Sequence, residues 1–152
     1  MLKYTERGST VMKSTNEVSK LAGDSRRTLQ YYDDEGIFVV ERSSNNYRMY
    51  DQKALKKIWQ ILVYKEMNFQ LKEIKYLLVI SNSQKKRYLE KRKEAIRKQI
   101  IKLKMQMEFV SLVQIYGMPL VPIEGNRKTY MSSIEELREK IRTKVLKGEE
   151  KQ

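Results

Sequence analysis

Arg26, Arg27, Gln30 and Tyr31 are the side chains whose types and spacing can act together. At about 100° per residue they share one face of a helix, with Ser25, Thr28, Leu29 and Tyr32 on the other. Two cations, an amide and a phenol make neither a nucleophile nor an acid–base pair. They can donate to phosphate oxygens and to base edges. Further along, Arg42 and Arg48 flank the run Ser43–Asn46, spaced to meet phosphates, which position a protein on a duplex rather than read its sequence. Tyr47, Lys65 and Tyr31 are further candidates for phosphate contact, while Arg26, Arg27 and Gln30 are the candidates for base edges. For Tyr31 a core role is the alternative.

What is missing narrows the chemistry. The chain has no cysteine and no histidine, which excludes a Cys/His metal site, a thiol nucleophile and an imidazole base. The 19 acidic residues sit mainly among Lys and Arg on helical faces, where charge alternation marks solvated surface. No enzyme, metal or cofactor is expected. A net charge of +13 predicts attraction to polyanions, nucleic acid before anionic membrane. Residues 12–80 carry 12 basic and 9 acidic side chains, whereas 81–116 carry 10 and 3. The densest charge therefore lies outside the segment with the reading face. With no apolar run of about 18 residues and a polar N-terminus, a cytoplasmic protein with no membrane contact is expected.

The elements that must position these residues follow from periodicity and punctuation. Residues 1–11 show no period and are expected to form a flexible extension. A first helix runs from a Thr15 cap through Leu21, and Gly23 breaks it. Asp24 or Ser25 caps a second helix, which Gly36 ends. Two short helices across a glycine turn read as helix-turn-helix, although an ordinary amphipathic surface helix fits the second segment equally well by itself. Ile37–Val40 and Tyr47–Tyr50 favour strands. Asn45–Asn46 offers the left-handed residues of a hairpin turn, so the pair makes a wing. Asp51 caps a third helix over 52–66 with Leu55, Ile58, Trp59 and Leu62 at core spacing, and Trp59 is expected as a core anchor. Leu71, Ile74, Leu77 and Leu78 mark a fourth.

From Ser83 to Tyr116 the chain reads as one helix about 50 Å long. Leu89, Ile96, Leu103 and Val110 recur every seven residues, and Ile100 and Met107 lie four after Ile96 and Leu103. That heptad seam, broken by Lys93 near its start, needs a partner helix. A homodimer is the economical answer, and a hairpin with the C-terminal helix the alternative. The stretch 117–129 is a connector. Ser132 and Ser133, each three before a Glu, offer capping boxes for a last helix of about 14 residues. Its stripe is Ile134, Leu137, Ile141 and Val145, and Gly148 is its expected stop.

The expected fold is mainly α: a winged helix-turn-helix DNA-binding domain over 12–80, a coiled-coil dimerisation helix over 81–116, and a connector with a C-terminal amphipathic helix over 117–152. The run Gly23–Ile37 resembles the recognition-helix signature of the MerR family of bacterial transcription regulators. Arg42, Asn45, Tyr47, Arg48 and Tyr50 are similar to its wing pattern, and Asn68–Ile74 to its entry into the fourth helix. The resemblance implies a recognition helix in the major groove, a flanking wing and antiparallel pairing of the long helices over a palindromic operator. It also implies RNA polymerase as a partner at promoters with over-long spacers, where effector binding bends and untwists the DNA.

Departures from the family pattern set further expectations. Gln30 stands where relatives carry Arg, which favours adenine over guanine. Val40 replaces a Pro, so the strand is expected to run further. Asn46 replaces the wing Gly, and Gln70 a Ser cap, weakening the start of the fourth helix by up to about 1 kcal/mol. The effector is unknown. Tyr116, Met118 and Tyr130, with Met131, can line a small effector pocket at a dimer seam. The simpler expectation is that they pack the last helix onto the coiled coil or a partner's DNA-binding domain. Two other functions fit the composition: an architectural DNA-bending factor, and a basic coiled-coil scaffold for RNA or an acidic protein.

Overall fold

Ser14 Oγ accepts from the Glu17 N–H at 3.2 Å, and Glu17 Oε1 accepts from the Ser14 N–H at 3.3 Å. This reciprocal capping box starts α1 (Thr15–Ala22). The cap is thus Ser14, one residue earlier than expected. The computed structural model describes residues 11–125 and 127–151; apart from Val11, the expected flexible extension lies outside them. Gly23 takes φ +71°, turning the chain into α2 (Arg26–Asp34), whose cap Ser25 accepts from the Thr28 N–H at 3.0 Å. Leu29 and Tyr32 are buried from this helix, as its packed face requires. Gly36, at φ +63°, then leads the chain away.

Ile37–Val40 is not a strand, which corrects the expectation from its composition. Ile37, Phe38 and Val40 are buried while Val39 is 87% exposed. The segment fills the core as irregular chain, with the Ile37 N–H donating back to the Tyr32 carbonyl of α2 at 2.9 Å. Nor does Val40 extend the strand that follows. The sheet is small: β1 (Lys13–Ser14), β2 (Glu41–Arg42) and β3 (Arg48–Tyr50), all antiparallel in the order β1-β3-β2. Lys13 pairs with Tyr50, and Arg42 with Arg48. Asn46 turns the hairpin at φ +63°, the left-handed conformation its side chain tolerates.

Asp51 Oδ1 accepts from the Ala54 N–H at 2.8 Å and starts α3 (Gln52–Glu66). At the start of α4 (Leu71–Leu77), Glu73 accepts from the Gln70 N–H at 2.8 Å, the reciprocal half of a capping box around Gln70. Val18, Leu29, Tyr32, Tyr50, Ile61, Ile74 and Leu77 form the fully buried centre. Trp59 does not join it. At 67% exposed, it overturns the expected core anchor. Ala54, Ile58 and Ile61 define the inward face of α3, and Trp59 sits one residue, about 100°, off that face. It lines an open groove with Leu21, Leu55 and Leu62.

The chain forms two compact units, residues 1–85 and 86–152. The second contains most of α5 (Asn82–Tyr116) and all of α6 (Tyr130–Glu150). Within it α6 runs back along α5: Lys144 pairs with Glu108 at 2.5 Å, and Lys104 with Glu149. Thr129 caps α6, accepting from the Ser132 N–H at 3.0 Å, so Ser132 and Ser133 are not the caps. Gly148 does not stop it either; the helix continues to Glu150, where the Lys104 ion pair anchors its last turn.

Two apolar stripes run along α5 on nearly opposite faces. Ile101, Met105 and Leu112 line the grooves against α6, with Leu137, Ile141 and Leu146 across from them. The heptad seam lies elsewhere. Ile96, Ile100, Leu103, Met107 and Val110 are between 37% and 69% exposed. The anticipated alternative, a hairpin with the C-terminal helix, does form. It uses the other stripe and leaves the seam open.

Candidate nucleic-acid interface

A cleft of about 370 Å³ lies between α2, the β2–β3 hairpin and the first turn of α1. Arg26 and Gln30 line it from α2, Arg42, Asn46, Tyr47 and Arg48 from the hairpin, and Ser14, Thr15 and Asn16 from the start of α1. The Ser25 cap fixes the rotation of α2, and burial of Leu29 and Tyr32 fixes which side faces out. Arg26, Gln30 and Tyr47 stand exposed. Sequence reasoning had located the helix and the wing but not the α1 residues. The Ser14-x-x-Glu17 capping box was legible and would have brought them in.

Arg27 and Tyr31 are exposed on α2, Tyr31 by 49%, and neither lines the cleft. Its exposure removes the core role for Tyr31. Among the described residues, Arg26 and Arg27 form no ion pair, so their charge is available to an incoming anion. Lys65 is committed differently. Its Nζ donates to the Tyr32 hydroxyl at 2.6 Å and lies 5.0 Å from that ring's centroid, which holds the cation beside the buried helix.

The wing arginines are paired. Arg48 Nε donates to Asp33 Oδ2 at 2.8 Å, its second terminal nitrogen donates to Asp34 Oδ1 at 2.8 Å, and Arg42 reaches the same Asp33 oxygen at 3.3 Å. The hydrogen bond that Arg48 donates to Asp33 pushes the Arg48 pKa above its ordinary value. Below the wing, burial pushes the Tyr50 phenol up. Its hydroxyl has no hydrogen-bond partner of good geometry among the described residues, and the nearby Thr15 hydroxyl offsets only part of the shift.

The residues suggested as an effector pocket are not brought together. Tyr116 joins the α5–α6 groove with Ile115, Leu112 and Leu137, whereas Met118 and Tyr130 do not line it. Tyr116, Met118, Tyr130 and Met131 are 82%, 80%, 60% and 59% exposed. Tyr116 thus borders α6, while Met118, Tyr130 and Met131 do not line the groove between α6 and α5. Among the described residues no group of acids could hold a metal ion, and no helix is long and apolar enough to cross a membrane.

A short helix pair, an outward face bearing free arginines and a flanking hairpin define a DNA-binding head of the winged helix-turn-helix class. Comparison with known proteins gives the family. Residues 13–79 match the MerR HTH family regulatory protein. Over 110 residues the chain is 32% identical to the HTH-type transcriptional activator mta of Bacillus subtilis, covering 72% of this chain and 40% of that protein. The crystal structure of MtaN, the N-terminus of the Bacillus subtilis multidrug transporter activator, superposes with a TM-score of 0.62 at 28% identity, covering 67% of this chain and 97% of that one. HiNmlR, a MerR family regulator lacking the sensor domain and solved bound to promoter DNA, has a TM-score of 0.51 at 21% identity, covering 69% and 89%. Residues 13–79 are therefore a MerR-family HTH domain, and the chain spans about two fifths of the length of mta.

Proposed function

We propose that this chain is a sequence-specific transcription regulator that grips a palindromic promoter operator as a homodimer. The observation that carries the reading is the cleft, which sets Arg26 and Gln30 of α2 beside Tyr47 and the wing. Arg26, Arg27 and Gln30 enter the major groove and meet base edges, while Tyr31, Tyr47 and Arg42 lie along the phosphates. Arg48 and Lys65 are held by protein partners in this structure, so their contacts to phosphate require exchange of those partners.

Dimerisation runs along the open stripe of α5, through Leu89, Ile96, Ile100, Leu103, Met107 and Val110. From Ile96 to Val110 this row of large apolar side chains is exposed, with Leu89 partly so, and such a row is expected to be covered by a second helix. Two heads joined in one dimer favour a single spacing of their half-sites. DNA that does not fit must bend or untwist, and that deformation energy is the regulatory step toward RNA polymerase. The protein works in the bacterial cytoplasm, its effector unassigned.

The test is selection of purified protein on a random duplex library at near-physiological salt. One inverted repeat with fixed half-site spacing is the expected outcome. Recovery of no motif, with binding that collapses as salt rises, would replace this reading with an architectural or scaffolding role.

A further inference from the structure

The hairpin arginines and the recognition-helix acids form a closed cluster: Arg42, Arg48, Asp33 and Asp34, two cations against two anions. Its members differ in how firmly they are held. Arg48 has both ends of its guanidinium filled by carboxylates at 2.8 Å and is 17% exposed, with Asp33 at 14%. Arg42 is 40% exposed and makes only 3.3 Å contacts, to Asp33 and to the Asn46 carbonyl. Arg48 is therefore the fastener and Arg42 the exchangeable cation. Asp34 is 63% exposed and, among the described residues, pairs with Arg48 only.

We propose that Asp33 is a specificity-determining residue: it clips the wing to the recognition helix through Arg48 and masks the charge of Arg42 until a correctly seated phosphate displaces it. Non-specific DNA binding draws its strength from cations that neutralise phosphates without regard to sequence. A wing whose two arginines are cancelled by two aspartates contributes little to it. On a matching duplex, base contacts from α2 hold the backbone against the wing, and Arg42 trades Asp33 for phosphate. Discrimination then comes from lowering the background as well as from raising the specific contact. The free cations Arg26 and Arg27 suffice for first encounter.

This inference rests on reading the N-terminal unit as a DNA-binding head, and the test separates the two. Full-length wild type, Asp33→Asn, Asp34→Asn and Arg42→Gln are titrated against random-sequence duplex between 50 and 200 mM salt. Freeing one cation adds about 0.9 to the slope of log affinity on log salt, so the loss of affinity across that range should grow about 3.5-fold in Asp33→Asn. Asp34→Asn removes the same formal charge without freeing Arg42 and should keep the wild-type slope. Arg42→Gln should lower the slope by about 0.9 on the selected operator, where Arg42 meets phosphate, and not on random duplex, where Asp33 holds it.

Equal steepening in both aspartate variants would mean generic charge and would overturn the role of Asp33. A slope shallower by about one in Arg42→Gln on random duplex would overturn it too, and this variant, compared on random and operator duplexes, decides the matter alone if Asp33→Asn does not fold. Failure of the wild type to bind any duplex defeats the DNA-binding reading itself.

Discussion

Truncating Leu103 to alanine should weaken the dimer without unfolding the protomer. Leu103 is 59% exposed on α5, so more than half of its surface remains to be covered by a partner helix. Full burial of a leucine is worth about 1.5–3 kcal/mol, which leaves about 1–2 kcal/mol for the interface. Two-fold symmetry places the loss on both protomers, about 2–4 kcal/mol per dimer, or roughly a 30- to 1,000-fold rise in the dimer Kd. Sedimentation equilibrium reads this directly, and circular dichroism at low concentration checks that helicity is retained. The contrast is Ile141→Ala. Ile141 is 5% exposed within the α5–α6 hairpin, so its truncation should cost about 2–5 kcal/mol of the hairpin's own stability. An unchanged dimer Kd in Leu103→Ala would refute the assignment of the open stripe.

Further outcomes follow from single residues. Arg27→Ala should weaken operator binding by about 1–3 kcal/mol if Arg27 reads a base, measured by anisotropy on matched and random duplexes; an equal loss on both would assign it to phosphate. Trp59, the single tryptophan, should be quenched readily by acrylamide, and Trp59→Ala should cost under about 1 kcal/mol. Ile58→Ala, next to it and 3% exposed, should cost about 2–5 kcal/mol. A blue-shifted, protected Trp59 emission in the monomer would contradict this. The Tyr50 phenol is pushed above its ordinary 10.0 by burial, so its folded pKa exceeds the unfolded one. The stability it contributes is intact below pH 10 and is lost as pH rises through the folded value. Tyr50→Phe should flatten this alkaline fall in Tm and leave neutral-pH stability unchanged or higher, since it removes a buried hydroxyl without a good partner.

The sequence was most legible where one physical signal acted alone. Asp51 is a strong cap with little competition and starts its helix as expected, and of the two candidates Asp24 and Ser25 it is Ser25 that starts α2. Asn46 met the left-handed demand of the wing. Ile37–Val40 misled because β-branched residues mark burial as well as strand, and composition cannot tell which. Trp59 misled because counting it with Ile58 made the stripe of α3 appear one residue wider than the buried face. On α5 the heptad was legible, but the second stripe at Ile101, Met105 and Leu112 was not separated from it. Gly148 fails as a stop because a glycine within a helix costs only about 1 kcal/mol, too little by itself to end one. In the site, residue types pointed to DNA, yet nothing local said that Asp33 would occupy both wing arginines. That pairing spans 9 and 15 residues and depends on how the hairpin folds back.

The central claim is that two identical heads sit at fixed, symmetric positions on one operator. The chain has no cysteine, so Asn45→Cys, at the exposed wing tip, gives a unique thiol for a tethered DNA-cleaving reagent. The account predicts two clusters of cuts mirrored about the centre of the selected sequence, with half-sites separated by one helical turn or a multiple of it. A single cluster, or cleavage spread evenly along any duplex offered, would contradict it.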